Sequence, residues 1–203
     1  MTSIITGDII NSRKLSSDIW MTALKDLFNK IGKMPKDWEI YRGDEFQLEI
    51  QNPEEALLIA IRIKALLRSL KLDVRISIGI GKKTYNAKKI TESNGSAFVN
   101  SGELFEILKK EKTTLAINSG NGDFDKQLNL MLRLALSIIN NWLPQSAEFV
   151  LTAIDNSSLS QEEIGQKLGI NQAAVSRRQK RAQFDLIMET EKFYRQQIKK
   201  LSS

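Results

Sequence analysis

Three carboxylates stand out in the N-terminal half of the sequence. Asp8 follows a short apolar run, Ser3 to Thr6, closed by Gly7. Asp44 and Glu45 sit together in Arg42-Gly43-Asp44-Glu45, between two alternating runs. Carboxylates that converge from separate strands make a hard-oxygen site suited to Mg²⁺ or Mn²⁺. A metal held there neutralises the phosphate charge of a nucleoside triphosphate and polarises an attacking hydroxyl. The 203-residue chain has no His and no Cys. Ser-His-Asp and Cys-His catalysis, His- or Cys-ligated metal, disulfides and the usual physiological pH switch are therefore excluded. Any enzyme here works with carboxylates, amines, hydroxyls and bound metal. Each acid also has a plainer reading: Asp8 as a turn residue or helix cap, and Asp44 as the turn itself.

A second set of residues points to nucleic acid. In Leu159 to Arg178, Ser160 and Glu163 have the spacing of a capping box, in which each side chain satisfies the other's free backbone N–H. Ile164 and Leu168 lie one turn apart and face inward. Gly165 is small enough for a second helix to cross closely, and Gly169 ends the first helix where positive φ is cheap only for glycine. Ile170 seals the turn and Val175 carries the core face onward. These spacings predict a helix-turn-helix over about 159–182, whose second helix enters the major groove of double-stranded DNA. Gln172, Ser176 and Arg177 are the base-contact candidates, because Gln pairs with adenine and Arg with guanine through two hydrogen bonds. Lys167, Lys180 and Arg181 are assigned to phosphate. The alternative is a packing module inside an enzyme or a subunit interface.

The elements that must position these residues follow from periodicity. Ser3 to Thr6 reads as a strand, and Ile19 to Ile31 as a helix stopped by Gly32 and Pro35. Trp38 to Tyr41 and Phe46 to Ile50 alternate about a hairpin tip. Pro53 opens a helix with Ala56, Ala60, Ile63, Leu67 and Leu70 on one face. Val74 to Gly81 alternates strictly. A lysine-bearing loop, a helix from about Ser101 to Lys110 and a strand around Thr113 to Ile117 follow. The expected class is α+β: a ferredoxin-like antiparallel sheet with helices on one face over residues 1–118, then an all-α unit over 119–203. Asn118 to Asp123 reads as the linker. Phe124 to Leu143 is apolar on nearly every side, which predicts a helix buried all round or set in a dimer interface. The helix after the turn is expected to run on to about Lys200, a tail that suggests a homodimer reading two half-sites.

Both halves resemble known families. Gly7-Asp8-Ile9-Ile10, Tyr41 to Phe46 and Val74 to Gly81 occur in the order seen in nucleotidyl cyclases of the adenylate and diguanylate type. That resemblance, over about residues 3–110, implies that Asp8 and Asp44 hold two metals, with Glu45 as the second acid of the diguanylate motif. Asn100 stands where adenylate-type cyclases carry a late Asn, and Arg42 and Asn100 are the candidate nucleotide contacts. The chain departs from the pattern at Arg42, where the diguanylate hairpin has a glycine, and at Leu104, where adenylate-type cyclases carry an arginine. Residues 142–182 are similar to the helix-turn-helix of sigma-factor region 4 and of response-regulator output domains, except that Arg178 and Gln179 interrupt the apolar face of the second helix. Gly7 to Arg13 with Arg42 to Gln47 resembles the bacterial SatD-like family over most of the chain.

The net charge of +6 permits a nucleic-acid partner. No apolar run reaches the roughly 18–20 residues of a membrane span, and the N-terminus has no signal-peptide pattern, so a cytoplasmic protein is expected. The leading expectation is a DNA-binding transcriptional regulator with a nucleotide- or metal-binding, cyclase-like sensor domain. The alternative is a metal-dependent nucleotidyl cyclase, or related phosphoryl-transfer enzyme, whose helix-turn-helix is an interaction module.

Overall fold

The computed structural model describes residues 1–202; Ser203, the last residue of the expected C-terminal unit, lies outside them. The protein is α+β. Its five strands are β1 (Thr2–Ile10), β2 (Trp38–Tyr41), β3 (Glu45–Ile50), β4 (Asp73–Gly81) and β5 (Leu115–Asn118). Eight α-helices occur among the described residues. In the N-terminal half these are α1 (Ser17–Asn29), α2 (Ala56–Ser69) and α3 (Ser96–Glu111). The rest are α4 (Gly122–Ile139), α5 (Pro144–Asp155), α6 (Gln161–Leu168), α7 (Gln172–Ala182) and α8 (Phe184–Ser202). The sheet order is β2-β3-β1-β4-β5. All neighbours are antiparallel except β4 and β5.

Strict alternation decides the faces. Ile5, Ile9, Phe46, Leu48, Val74, Ile76 and Ile78 point into one core against Trp20, Leu24 and Phe28 of α1 and Ala60, Ile63 and Leu67 of α2. Phe28 stacks on Trp38 and Phe46 with ring centroids 5.5 and 5.2 Å apart, and each such pair adds about 0.5–1.5 kcal/mol beyond area burial. The expectation that all helices lie on one face is corrected here. Ile4 packs with Ala97 and Phe98 of α3, so α3 covers the opposite face. The approach is close because Gly79 has no side chain; a Cβ there would overlap the backbone of Ala97 and Ser101. Ser77, Ser101 and Thr6 exchange buried hydroxyl hydrogen bonds across this contact. The fifth strand is reached by the β4–α3–β5 crossover and is parallel, so the sheet is mixed rather than antiparallel.

The helical half is built onto this sheet. From α4, Asn129 clamps the outer edge of β5, accepting from Ile117 N and donating to Ile117 O, both at 2.8 Å. The helix ends at Ile139, earlier than its apolar pattern suggested. It is not buried all round: Leu128, Leu132 and Leu136 are inside, while Leu130 and Leu134 are 53% and 66% exposed. The expected long terminal helix is also corrected. Gln183 adopts a left-handed conformation (φ 46°, ψ 44°) that divides α7 from α8. Helix α8 then turns back onto the sheet half. Ile187, Tyr194 and Ile198 join the main core, and the Tyr194 hydroxyl donates to Pro53 O at 2.7 Å. One core cluster thus runs from Ile5 to Ile198.

Candidate nucleic-acid interface and carboxylate cluster

The first strand is longer than its apolar run, so Asp8 lies within β1 rather than after it. It stands opposite Glu45 on β3 and Arg75 on β4. Residues directly opposed on neighbouring strands share a face, which explains the pairings. Arg75 Nη1 donates to both oxygens of Asp8, at 3.1 and 3.0 Å. Burial pushes the Asp8 carboxyl up; Arg75 and Lys109 pull it down, and Asp44 and Glu45 push it further up. Glu45 accepts from Lys109 of α3 at 3.0 Å and has Arg42 at 3.7 Å. The ammonium of Lys109 also lies 4.3 Å from the centre of the Phe105 ring. Partial burial depresses the Lys109 ammonium, but the hydrogen bond and charge of Glu45 outweigh it and raise its pKa.

Asp44 sits at the tip of the β2–β3 hairpin, next to Arg42 and Gly43, which have φ of 50° and 91°. Positive φ at two successive residues matches the twist of a tight hairpin. Its carboxylate accepts from Ser12 Oγ at 2.7 Å, and its carbonyl accepts from Ile9 N at 3.2 Å. The tip is thereby tied to the loop after β1. A cleft of about 420–520 Å³ opens on each side of Arg42, and the larger is lined by Ser12, Arg13, Leu15, Ser17, Trp20, Gly43 and Asp44. Two polar features lie next to this larger cleft. The Nε1–H of Trp20 is buried without a hydrogen-bond partner, and the N-cap residue of α1, Ser16, makes no side-chain cap bond.

Among the described residues, no group of three or more Asp or Glu is gathered as a metal-ligand set. Asp8, Asp44 and Glu45 share one neighbourhood, but each is already engaged by Arg75, Ser12 or Lys109. A divalent ion at Asp8 would share the carboxylate oxygens with the Arg75 guanidinium and meet its charge. Asn100 is placed apart from the other candidates. Its side chain donates to Ile80 O at 2.8 Å, toward the far end of β4 from Arg75, roughly 17 Å away at 3.4 Å per residue.

The residues of α6, of the turn after it and of α7 come together as one unit. Ser160 and Glu163 make both halves of the capping box, and the Ser160 backbone N–H pulls the Glu163 carboxyl below its ordinary range. Gly169 caps α6 at φ 64°. Ile170 N donates to Gly165 O at 2.9 Å, and a Cβ on Gly165 would sit 2.7 Å from Ile170 O. Asn171 caps α7 by accepting from Ala174 N. Val175 and Ala182 are buried, and Trp142 Nε1 donates to Ala182 O at 2.9 Å.

The break in the apolar face has a physical explanation. Arg178 pairs with Glu148 of α5 at 2.7 Å. Gln179 accepts from Gln161 of α6 and donates to Asp185 of α8, both at 2.8 Å. Polar partners on three helices occupy the positions that apolar residues fill elsewhere. Gln172, Arg177, Lys180 and Arg181 face solvent, as does Lys167 on α6, and Ser176 is half-buried beside them.

Residues 2–198 match the model of the SatD family. The chain belongs to the SatD family. No curated protein sequence matches it. The match spans the sheet and helices α4 to α7 in full and most of α8, in keeping with a core that joins them. Within this SatD-family chain, inspection of the sequence missed Ser12, Trp20, Arg75 and Lys109 as members of the carboxylate site. Arg75 carried a signal, since strict alternation puts it on the polar face of β4. Its register against Asp8 did not follow from that. Lys109 is 64 residues from Glu45 and carried none.

Proposed function

We infer that this protein is a DNA-binding transcriptional regulator whose sheet half binds a nucleotide or a metal ion. The observation that carries this is the solvent face of α7. Gln172, Ser176 and Lys180 follow at helical spacing, Arg177 and Arg181 flank them, and no acidic residue lies between 172 and 182. The opposite side of the helix is held by Val175, Arg178, Gln179 and Ala182. That leaves the N-terminal turn of α7 free to enter a major groove, with Lys167 set for the flanking phosphates.

The sensor reading is supported by the cleft beside Asp44. It combines Arg13, Arg42 and the start of α1, a cationic set that suits a phosphate-bearing ligand better than a bare cation. We read the strand order β2-β3-β1-β4 with α1 and α2 as a ferredoxin-like core of the cyclase type, extended by α3 and β5. Pairing of two chains would supply two reading helices for two half-sites, and a cytoplasmic location fits that role.

Fluorescence polarisation of labelled genomic fragments, titrated at several salt concentrations, tests the reading. A subset bound tightly against a steeply salt-dependent background is expected, with affinity altered by a nucleoside triphosphate and Mg²⁺. Absence of any fragment preference would overturn the DNA half. The rival reading, a phosphoryl-transfer enzyme, draws on the clustering of Asp8, Asp44 and Glu45. Incubation with each nucleoside triphosphate and Mg²⁺ or Mn²⁺, followed by product chromatography, decides it. A product that vanishes in Asp8→Ala would establish the enzyme.

A further inference from the structure

A second cleft, of about 410 Å³, lies where the helix-turn-helix meets the sheet half. Every helix of the C-terminal unit after α4 contributes a wall, and α2 contributes another. Leu58 comes from α2, Phe149 and Ile154 from α5, Leu159 from the α5–α6 connection, and Phe184 and Met188 from α8. Phe149 and Phe184 meet edge to face, with centroids 5.5 Å apart and planes at 78°. Leu58, Ile154, Leu159, Phe184 and Met188 are only partly buried; Ile154, Leu159 and Phe184 also pack against the core, and all five leave apolar surface on the cleft.

No charged residue lines this cleft, although 27% of the chain is charged. Its polar groups are Asn156, Ser157, Gln161 and Gln179, all neutral. Moving a charged group into such surroundings without a counter-charge is costly, whereas apolar surface gains on entry. The volume is that of a small-molecule site and is too small for a docked helix. The contrast with the cleft beside Asp44, which has Arg13 and Arg42, excludes one shared ligand class.

We propose that this cleft binds a neutral, largely apolar small molecule and that occupancy adjusts the seating of α6 and α7 on α5, the helix that joins them to α2. The adjustment has a route: Gln161 and Gln179 share a hydrogen bond at the cleft, and they belong to the two helices of the helix-turn-helix. The regulatory consequence rests on the DNA-binding reading; the binding itself does not.

The test uses the full chain and the neutral fluorophore N-phenyl-1-naphthylamine. Saturable one-to-one binding is expected. Met188→Lys, which places a charge in the cleft from a half-exposed position, should weaken it at least tenfold. Ser157→Trp, which fills the mouth from an exposed position, is the second variant should the first fail to fold. Leu134→Lys, on the exposed apolar stripe of α4, should leave binding unchanged. Non-saturable binding, or retained affinity in both cleft variants, overturns the proposal. Probe binding that shifts DNA affinity supports both parts. Normal probe binding by a protein that binds no DNA leaves the cleft assigned and removes the regulator reading instead.

Discussion

Arg75 and Asp8 face each other across the centre of the sheet, one guanidinium nitrogen bridging both carboxylate oxygens at 3.1 and 3.0 Å. Their side chains are only 15% and 20% exposed. The charge of the strand aspartate is therefore matched from within the protein, by a residue 67 positions away in sequence. Glu45 is matched in the same way by Lys109. Carboxylates and cations alternate over this face, with Arg13 and Arg42 lining the cleft beside Asp44.

Breaking the pair has a predictable cost. Asp8→Ala leaves the Arg75 guanidinium without its acceptor in a half-buried setting, and a loss of about 1–3 kcal/mol is expected from urea unfolding. The pH dependence carries a sign. Burial holds the Asp8 carboxyl above its ordinary value, so the folded state retains this proton more readily than the unfolded state. Asp8 therefore favours folding most at low pH, and its contribution declines as pH rises from roughly 4 through the raised value. Asp8→Asn should flatten that part of the stability profile. An unchanged profile would remove Asp8 as its source.

On α7, Arg177→Ala with Lys180→Ala should reduce affinity for any bound DNA fragment by more than tenfold at moderate salt. The salt slope should fall by about one for each phosphate that is no longer neutralised. Both residues are exposed, so melting temperature should stay within a degree or two. Unchanged DNA affinity in the double variant would sink the proposed face.

The turn offers an internal comparison. Gly169→Ala meets no neighbouring atom but must hold φ at 64°, costing about 1 kcal/mol. Gly165→Ala has no such backbone requirement, yet its Cβ would press to 2.7 Å from Ile170 O. It should be the more destabilising of the two, because backbone must move, and it should also weaken DNA binding by altering the angle between α6 and α7. Thermal melts of both variants rank them directly.

Tyr194→Phe tests whether α8 is anchored to the sheet half. The hydroxyl is buried, and burial pushes its pKa well above the ordinary tyrosine range. Its loss leaves Pro53 O without this donor, for about 1–2 kcal/mol. Hydrogen exchange should quicken along α8. No change in exchange there would mean that the anchor lies elsewhere.

Much of this was legible in the chain. Alternation in Val74 to Ile80 and in Phe46 to Ile50 marked strands, because a pleated strand half facing a core demands period two. Ser160, Glu163, Gly165 and Gly169 marked the start and end of α6 and its close approach to the following turn, because caps and close crossings are local requirements of backbone geometry. What the sequence could not carry were properties that depend on a distant partner. Arg178 and Gln179 looked like defects until α5, α6 and α8 supplied Glu148, Gln161 and Asp185. Gln183 is neither glycine nor proline, so the end of α7 had no local marker; the return of α8 to Pro53 accompanies it. The side of the sheet taken by α3 rested on Gly79, whose missing Cβ permits either a bulge or a close approach. Local spacing determined the elements and which residues face inward. Register, crossover side and the charge partners of Asp8 and Glu45 were decided only when remote segments met, since the energies that choose among them come from contacts between residues far apart in the chain.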